Sequence, residues 1–207
     1  MTSPANPQIS SRKDPKQARS TALVEAVLQA AGQVLAKEGA SRFTMARVAE
    51  AAGVSVGSLY QYFPNKAALL FRLQSDEWRE TSDLLRAILE DRARPPFERL
   101  RRLVHAFIRS ECEEAAMRIA LNDAAPLYRN VPEAHAARES GSHVIQVFLK
   151  EALPQASKEA RLLAGGLIEM TMSQVGKTFS ETSPSEREIV RYADAMADMF
   201  CAYLKQA

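Results

Sequence analysis

Residues 44–66 read TMARVAEAAGVSVGSLYQYFPNK, and two short helices joined by a glycine turn are the simplest reading of that stretch. Thr44 is placed to N-cap the first helix through its hydroxyl. Met45, Val48, Ala49 and Ala52 then recur at helical spacing and form one apolar side. Gly53 stands where the chain must turn, since glycine adopts positive φ at no steric cost. Ser55 is a second N-cap candidate, and Val56 to Phe63 gives about two turns of helix. Pro64 stops that helix and Asn65 can cap the next. Helix, glycine turn and second helix make a helix-turn-helix, whose second helix enters a DNA major groove.

The second helix carries chemistry suited to that use. Leu59 and Phe63, four apart, form its inward stripe, which leaves Val56, Gly57, Ser58, Tyr60, Gln61 and Tyr62 facing outward. Tyrosine hydroxyls bond phosphate oxygens, and Lys66 adds a point charge. Thr44, Tyr60, Tyr62 and Lys66 are therefore expected on the phosphate backbone. Val56, Gly57, Ser58 and Gln61 are expected at base edges, with Arg47 a further contributor. Val56 offers a thymine methyl contact rather than a hydrogen bond.

These residues carry a resemblance. Thr44, Val48, Ala49, Ala52-Gly53-Val54, Leu59-Tyr60, Tyr62-Phe63, Lys66 and Leu69-Leu70 resemble the N-terminal signature of the tetracycline-repressor (TetR) family of transcriptional regulators. Upstream, Ala30-Ala31, Glu38-Gly39 and Phe43-Thr44 fit as well. The resemblance covers about a quarter of the chain. It implies an all-α fold of about nine helices, with a helix-turn-helix domain before a larger helical domain. It also implies contact positions at Gly57, Ser58, Tyr60, Tyr62 and Lys66, a homodimer on double-stranded operator DNA, and release by a small-molecule effector.

Charge distribution agrees with a DNA-binding end. The 207 residues carry a net charge of +2, too small to identify a nucleic-acid binder by itself. Residues 1–66 hold eight Lys or Arg against four acids, a charge of +4, so the remainder sums to −2. Residues 1–18 are rich in Pro and Ser and read as a disordered arm, made basic by Arg12, Lys13, Lys16 and the adjoining Arg19. The organisation expected is the arm over 1–18, the helix-turn-helix domain over 19–66, and an effector-binding and dimerisation domain over 67–207.

Helix 1 is expected from about Ser20 to Lys37 with Gly39 just past its end. A long helix starts near Asn65 and runs to about Arg92, spanning on the order of 40 Å. Pro95-Pro96 breaks the chain before a helix with the stripe Phe97, Leu100, Val104, Phe107, Ile108 and Cys112. A short segment from Ala115 to about Ala124 and a helix from about Glu133 to Ala152 follow. Residues 157–179 are apolar on more than one face, and so must bury more than one. Gly165-Gly166 permits close approach there. Ser183-Pro184-Ser185-Glu186 starts the last helix.

An interface of these last two helices with a second copy is expected through Leu163, Gly166, Leu167, Met170, Met196, Phe200 and Tyr203. The effector expected from the resemblance would lie among Trp78, Leu85, Phe107, Met117, Asn122, Tyr128, His143 and Phe148. The larger domain is rich in Met and aromatic groups with few obvious buried charges, which points to an apolar molecule.

Enzymatic patterns are not legible. His105, His135 and His143 lack the spacing of a helical metal site, and no phosphate loop or nucleophile elbow occurs. Cys112 and Cys201 read as free, buried thiols, and no cofactor is expected. No apolar leader or membrane span is legible, which gives a cytoplasmic expectation. Two other readings have the same composition: a sequence-indifferent DNA-binding protein, and a helical ligand-binding module with a vestigial helix-turn-helix.

Overall fold

The computed structural model describes Ile9, residues 18–127 and residues 142–206. Among them are nine α-helices and no strand. They are α1 (Ala18–Arg42), α2 (Met45–Ala51), α3 (Val56–Tyr62), α4 (Lys66–Glu90), α5 (Pro96–Glu113), α6 (Ala115–Ala124), α7 (Ser142–Ala152), α8 (Lys158–Ser180) and α9 (Glu186–Leu204). A single 3-10 turn, Ala125–Leu127, follows α6. Among the described residues no helix is long and apolar enough to cross a membrane.

The described residues fall into two compact units. The first holds the chain through Trp78 together with 116–127, and the second holds 79–115 with 142–206. This division differs from the expected break at residue 66. Leu69 and Leu70 of α4 are fully buried in the core formed by α1–α3, and Ala120, Leu121 and Ala124 of α6 join that same core. Three helices this short bury too little alone, and the additional helix surface completes the core.

Local signals set the first unit. The Ala18–Arg42 segment breaks at Gly39, whose φ of 75° and ψ of 171° suit a residue without Cβ. Gly39→Ala is expected to lower the unfolding free energy by about 1–3 kcal/mol in a urea titration. Backbone strain would be the cause, because a Cβ there meets nothing within 4 Å. Gly53, with φ 66°, makes the turn between α2 and α3. Ile9 is 5% exposed and belongs to this core, so at that point the expected arm is packed down. Arg12, Lys13 and Lys16 lie outside the described residues.

The second unit is built around α5, against which both α8 and α9 pack. Leu100, Leu103, Val104 and Ile108 supply the α5 side of the core. Gly165 and Gly176 of α8 allow close contacts: a Cβ at Gly176 would meet Phe107 at 2.9 Å, and one at Gly165 would meet Gln146 of α7 at 2.2 Å. Arg99 is buried within this unit. Its guanidinium donates to the Leu89 carbonyl, pairs with Glu151 and lies 5.5 Å from the Phe148 ring centre. The thiols are free; Cys201 is buried, Cys112 half-buried, and desolvation raises the pKa of both.

Candidate nucleic-acid interface

Capping fixes the two helices of the motif. The Thr44 hydroxyl accepts from the Arg47 backbone N–H at 3.3 Å, and the Ser55 hydroxyl accepts from the Ser58 N–H at 3.0 Å. Each bond satisfies an N–H that the first helical turn leaves open. Asn65 does the same for α4, accepting from Ala68 at 2.8 Å.

Leu59 of α3 points into the core as expected, and so does Phe63, the extended residue that caps the end of the helix. Val56 and Tyr60 are 40% and 41% exposed, and Gly57 and Gln61 are exposed beside them. Positions 56, 57, 60 and 61 share one side of a helix, so the four residues form a single outer face. A Cβ at Gly57 would approach nothing nearer than the Ser55 hydroxyl at 3.8 Å. The fold itself therefore does not require glycine at 57. Ser58 is half-buried, its hydroxyl 2.8 Å from that of Ser55.

Two residues expected on phosphate, Tyr62 and Lys66, are turned inward. Tyr62 is 8% exposed and packs in the core of the first unit, because it completes an i, i+3, i+4 stripe with Leu59 and Phe63. Lys66 is drawn inward. Its ammonium donates to the Ala40 carbonyl at 2.7 Å and lies 5.6 Å from the Phe43 ring centre, and desolvation holds its pKa below the ordinary lysine value. The bond satisfies a carbonyl just beyond the Gly39 break and ties α4 to the end of α1. Arg47 pairs with Glu38 across the same end of α1 and remains exposed. The Lys66 tie had no local signal, since its partner stands 26 residues away.

The expected effector residues are distributed over both units. Met117 packs on Gly32 in the first unit, where a Cβ would meet its Cε at 2.8 Å, and Asn122 is exposed. Trp78 is half-buried in that unit. Leu85 and Phe107 pack against the core of the second. Tyr128 lies outside the described residues. His143 and Phe148 do come together, lining a cleft of about 230 Å³ with Arg86, Leu89, Arg92 and Val147.

The expected dimer residues divide sharply. Leu163, Leu167 and Met170 of α8 are 61%, 43% and 68% exposed, and Gly166 between them opens on free space. Met196 and Phe200, in contrast, are 5% and 4% exposed. They lie in the core, where one apolar side of α9 packs on α5, while Val190 and Met199 of α9 are 38% and 50% exposed. Tyr203 is half-buried at the edge of that core.

Residues 27–73 match the family model for bacterial regulatory proteins of the tetR family, and residues 95–207 match the tetracyclin repressor-like C-terminal domain. A nucleoid occlusion factor, SlmA, from Vibrio campbellii is 36% identical over 85 residues, 41% of this chain and 43% of that protein. The chain thus spans less than half the length of that curated relative. A tetR-family transcriptional regulator structure from Mesorhizobium loti superposes with a TM-score of 0.67 at 19% identity, over 90% of this chain and 98% of the other. The transcriptional regulator FadR from Bacillus subtilis, solved with stearoyl-CoA, gives 0.67 at 15% identity over 86% and 97%. At such identities the two structures establish a shared fold.

Proposed function

This chain belongs to the tetR family of transcriptional regulators, and from that premise we propose that it represses transcription as an operator-bound homodimer released by a small effector. It is a helix-turn-helix DNA-binding regulator with a larger helical domain. The observation that carries the finer reading is the outer face of α3, where Val56, Gly57, Tyr60 and Gln61 stand exposed on a rigid, doubly capped support.

Each residue has a distinct task. The Tyr60 hydroxyl donates to a phosphate oxygen while its ring lies along the sugar. Gln61 offers the bidentate geometry that recognises adenine, and Val56 offers methyl contact with thymine. Gly57 lets the α3 backbone come close to the duplex. Thr44, Arg47 and Ser58 flank this face, Thr44 and Ser58 with hydroxyls already engaged by the caps. Lys66 positions α4 and the end of α1, and its charge adds to the local attraction for phosphate.

Gly57→Ala separates fold from function. Helix propensity predicts a gain of about 0.5–1 kcal/mol in stability, since the protein has room for the methyl group. Affinity for operator DNA is expected to fall at least tenfold, as the methyl group displaces the approaching backbone. Chemical denaturation and fluorescence anisotropy of a labelled duplex measure the two effects. Unchanged DNA affinity would remove Gly57 from the interface.

Two copies joined through the α8 stripe would present two α3 helices to a palindromic site. Support comes from Leu163, Gly166, Leu167 and Met170, which share one side of α8 and carry exposed apolar surface. The effector reading is supported by the family of the second unit and by the cleft at His143 and Phe148. The Bacillus subtilis relative binds stearoyl-CoA, and an effector with an apolar body suits the present chain as well. Release would follow if effector binding favoured a conformation whose half-site spacing no longer fits the operator, with α4, which has residues in both units, as the moving element. DNA binding places the working protein in the cytoplasm.

A further inference from the structure

The cleft in the second unit has a charge pattern that goes beyond an apolar binding site. Leu89, Val144, Val147 and Phe148 supply its apolar lining, with Val147 51% exposed. Arg86 and Arg92 line it from the end of α4 and from the turn that follows, and Lys150 joins Arg92 in the adjoining recess. Four other arginines of this unit, Arg94, Arg101, Arg102 and Arg109, each meet a carboxylate. Arg86, Arg92 and Lys150 meet none among the described residues.

The carboxylates of the cleft do not cancel this excess. Glu151 is committed to the buried Arg99 beneath it, which leaves Glu90 as the single opposing charge in the lining. Arg99 also donates to the Leu89 carbonyl, blunting the partial negative charge at the C-terminal end of α4. Its contact with Phe148 holds the apolar wall over the guanidinium. Among the described residues, the cleft therefore combines an apolar wall, two unpaired guanidiniums, a compensated carboxylate and the carboxylate of Glu90.

We propose that this cleft binds a small organic monoanion, an acid with a flat apolar body. The acid group would lie between Arg86 and Arg92, whose planar donors suit a carboxylate. The body would rest on Val147 and the half-buried Val144, with the buried Phe148 ring behind them. A cleft of about 230 Å³ holds roughly eight waters' worth of space, enough for one or two fused rings. The inference rests on the effector reading for its regulatory meaning, but the binding chemistry is tested apart from it.

The test uses three probes of one shape on the full-length protein: 2-naphthoate, 2-naphthamide and 2-naphthylmethylammonium, followed by calorimetry at moderate salt. Naphthoate is expected to bind about tenfold or more tighter than the amide, and the ammonium weakest of all. The double variant Arg86→Gln, Arg92→Gln should bring naphthoate to the level of the amide while leaving amide binding unchanged. Both substitutions are on exposed side chains, and an unchanged thermal unfolding curve verifies the fold. Equal binding of all three probes, tighter binding of the ammonium, absence of binding, or a naphthoate preference that survives in the double variant would overturn the proposal. A labelled operator duplex then separates the two readings. Naphthoate that binds through Arg86 and Arg92 without releasing DNA would leave the anion site standing and remove its effector role. Release of DNA by all three probes alike would keep an effector role and overturn the anion preference.

Discussion

Tyr62→Ala is expected to destabilise the protein by about 3–5 kcal/mol, the usual cost of removing a buried aromatic side chain. Tyr62 is packed with Leu59 and Phe63 in the core that supports the reading helix. The cavity would form where α1, α2 and α4 converge on α3, so the loss of DNA binding in this variant would follow from loss of structure. Tyr60→Ala should behave in the opposite way. Its side chain is 41% exposed, so stability should stay within about 0.5 kcal/mol, while affinity falls for every DNA sequence. Tyr62→Phe should leave DNA affinity unchanged, whereas Tyr60→Phe should weaken it modestly. Urea denaturation run beside duplex titrations distinguishes the pair. A stable Tyr62→Ala protein that simply bound DNA poorly would return Tyr62 to the interface.

The double substitution Leu163→Glu, Met170→Glu should convert the proposed dimer into a folded monomer. Both side chains are more than half exposed in the single chain, so two carboxylates there cost the isolated fold little. Across a two-fold axis the same change places four carboxylates in an apolar contact, where unpaired charges are strongly unfavourable. Sedimentation should show a mass near 22.9 kDa in place of twice that value, with helical circular dichroism retained. Affinity for a palindromic duplex should fall by about 100-fold or more, since linked half-sites bind with the effective-concentration advantage of a bivalent ligand. Val190→Glu, on an exposed position of α9, is the control and should remain dimeric. A double variant that stayed dimeric would place the interface elsewhere.

The helix-turn-helix was legible because its signals are local. Thr44, Ser55 and Asn65 cap the helices they precede, and Gly53 makes the turn with positive φ. Gly39, which marks the end of the first helix, was readable for the same reason. The burial of Tyr62 was not legible because a tyrosine on a two-turn helix suits either side, and only the depth of the surrounding core decides. The inward turn of Lys66 depends on Ala40, and Arg99 depends on Glu151, 52 residues away. No sequence pattern brings such partners together. The apolar excess of the last two helices was visible, but its division was not. Packing of α9 on α5 takes Met196 and Phe200 inside and leaves the α8 stripe exposed. The cleft at His143 depends on how α7 meets the end of α4, and of the eight candidates chosen by residue type only His143 and Phe148, among the described residues, line it.

Selection from random duplex DNA on the purified protein, with sequencing of what is retained at moderate salt, tests the central claim most directly. The account predicts an enriched inverted repeat, whose two half-sites correspond to two copies of the Val56, Gly57, Tyr60 and Gln61 face. The enrichment should vanish in Gly57→Ala and Gln61→Ala, while weak, salt-sensitive retention persists. Retention of duplexes with no enriched sequence, by a protein shown to be free of bound small molecules, would contradict it.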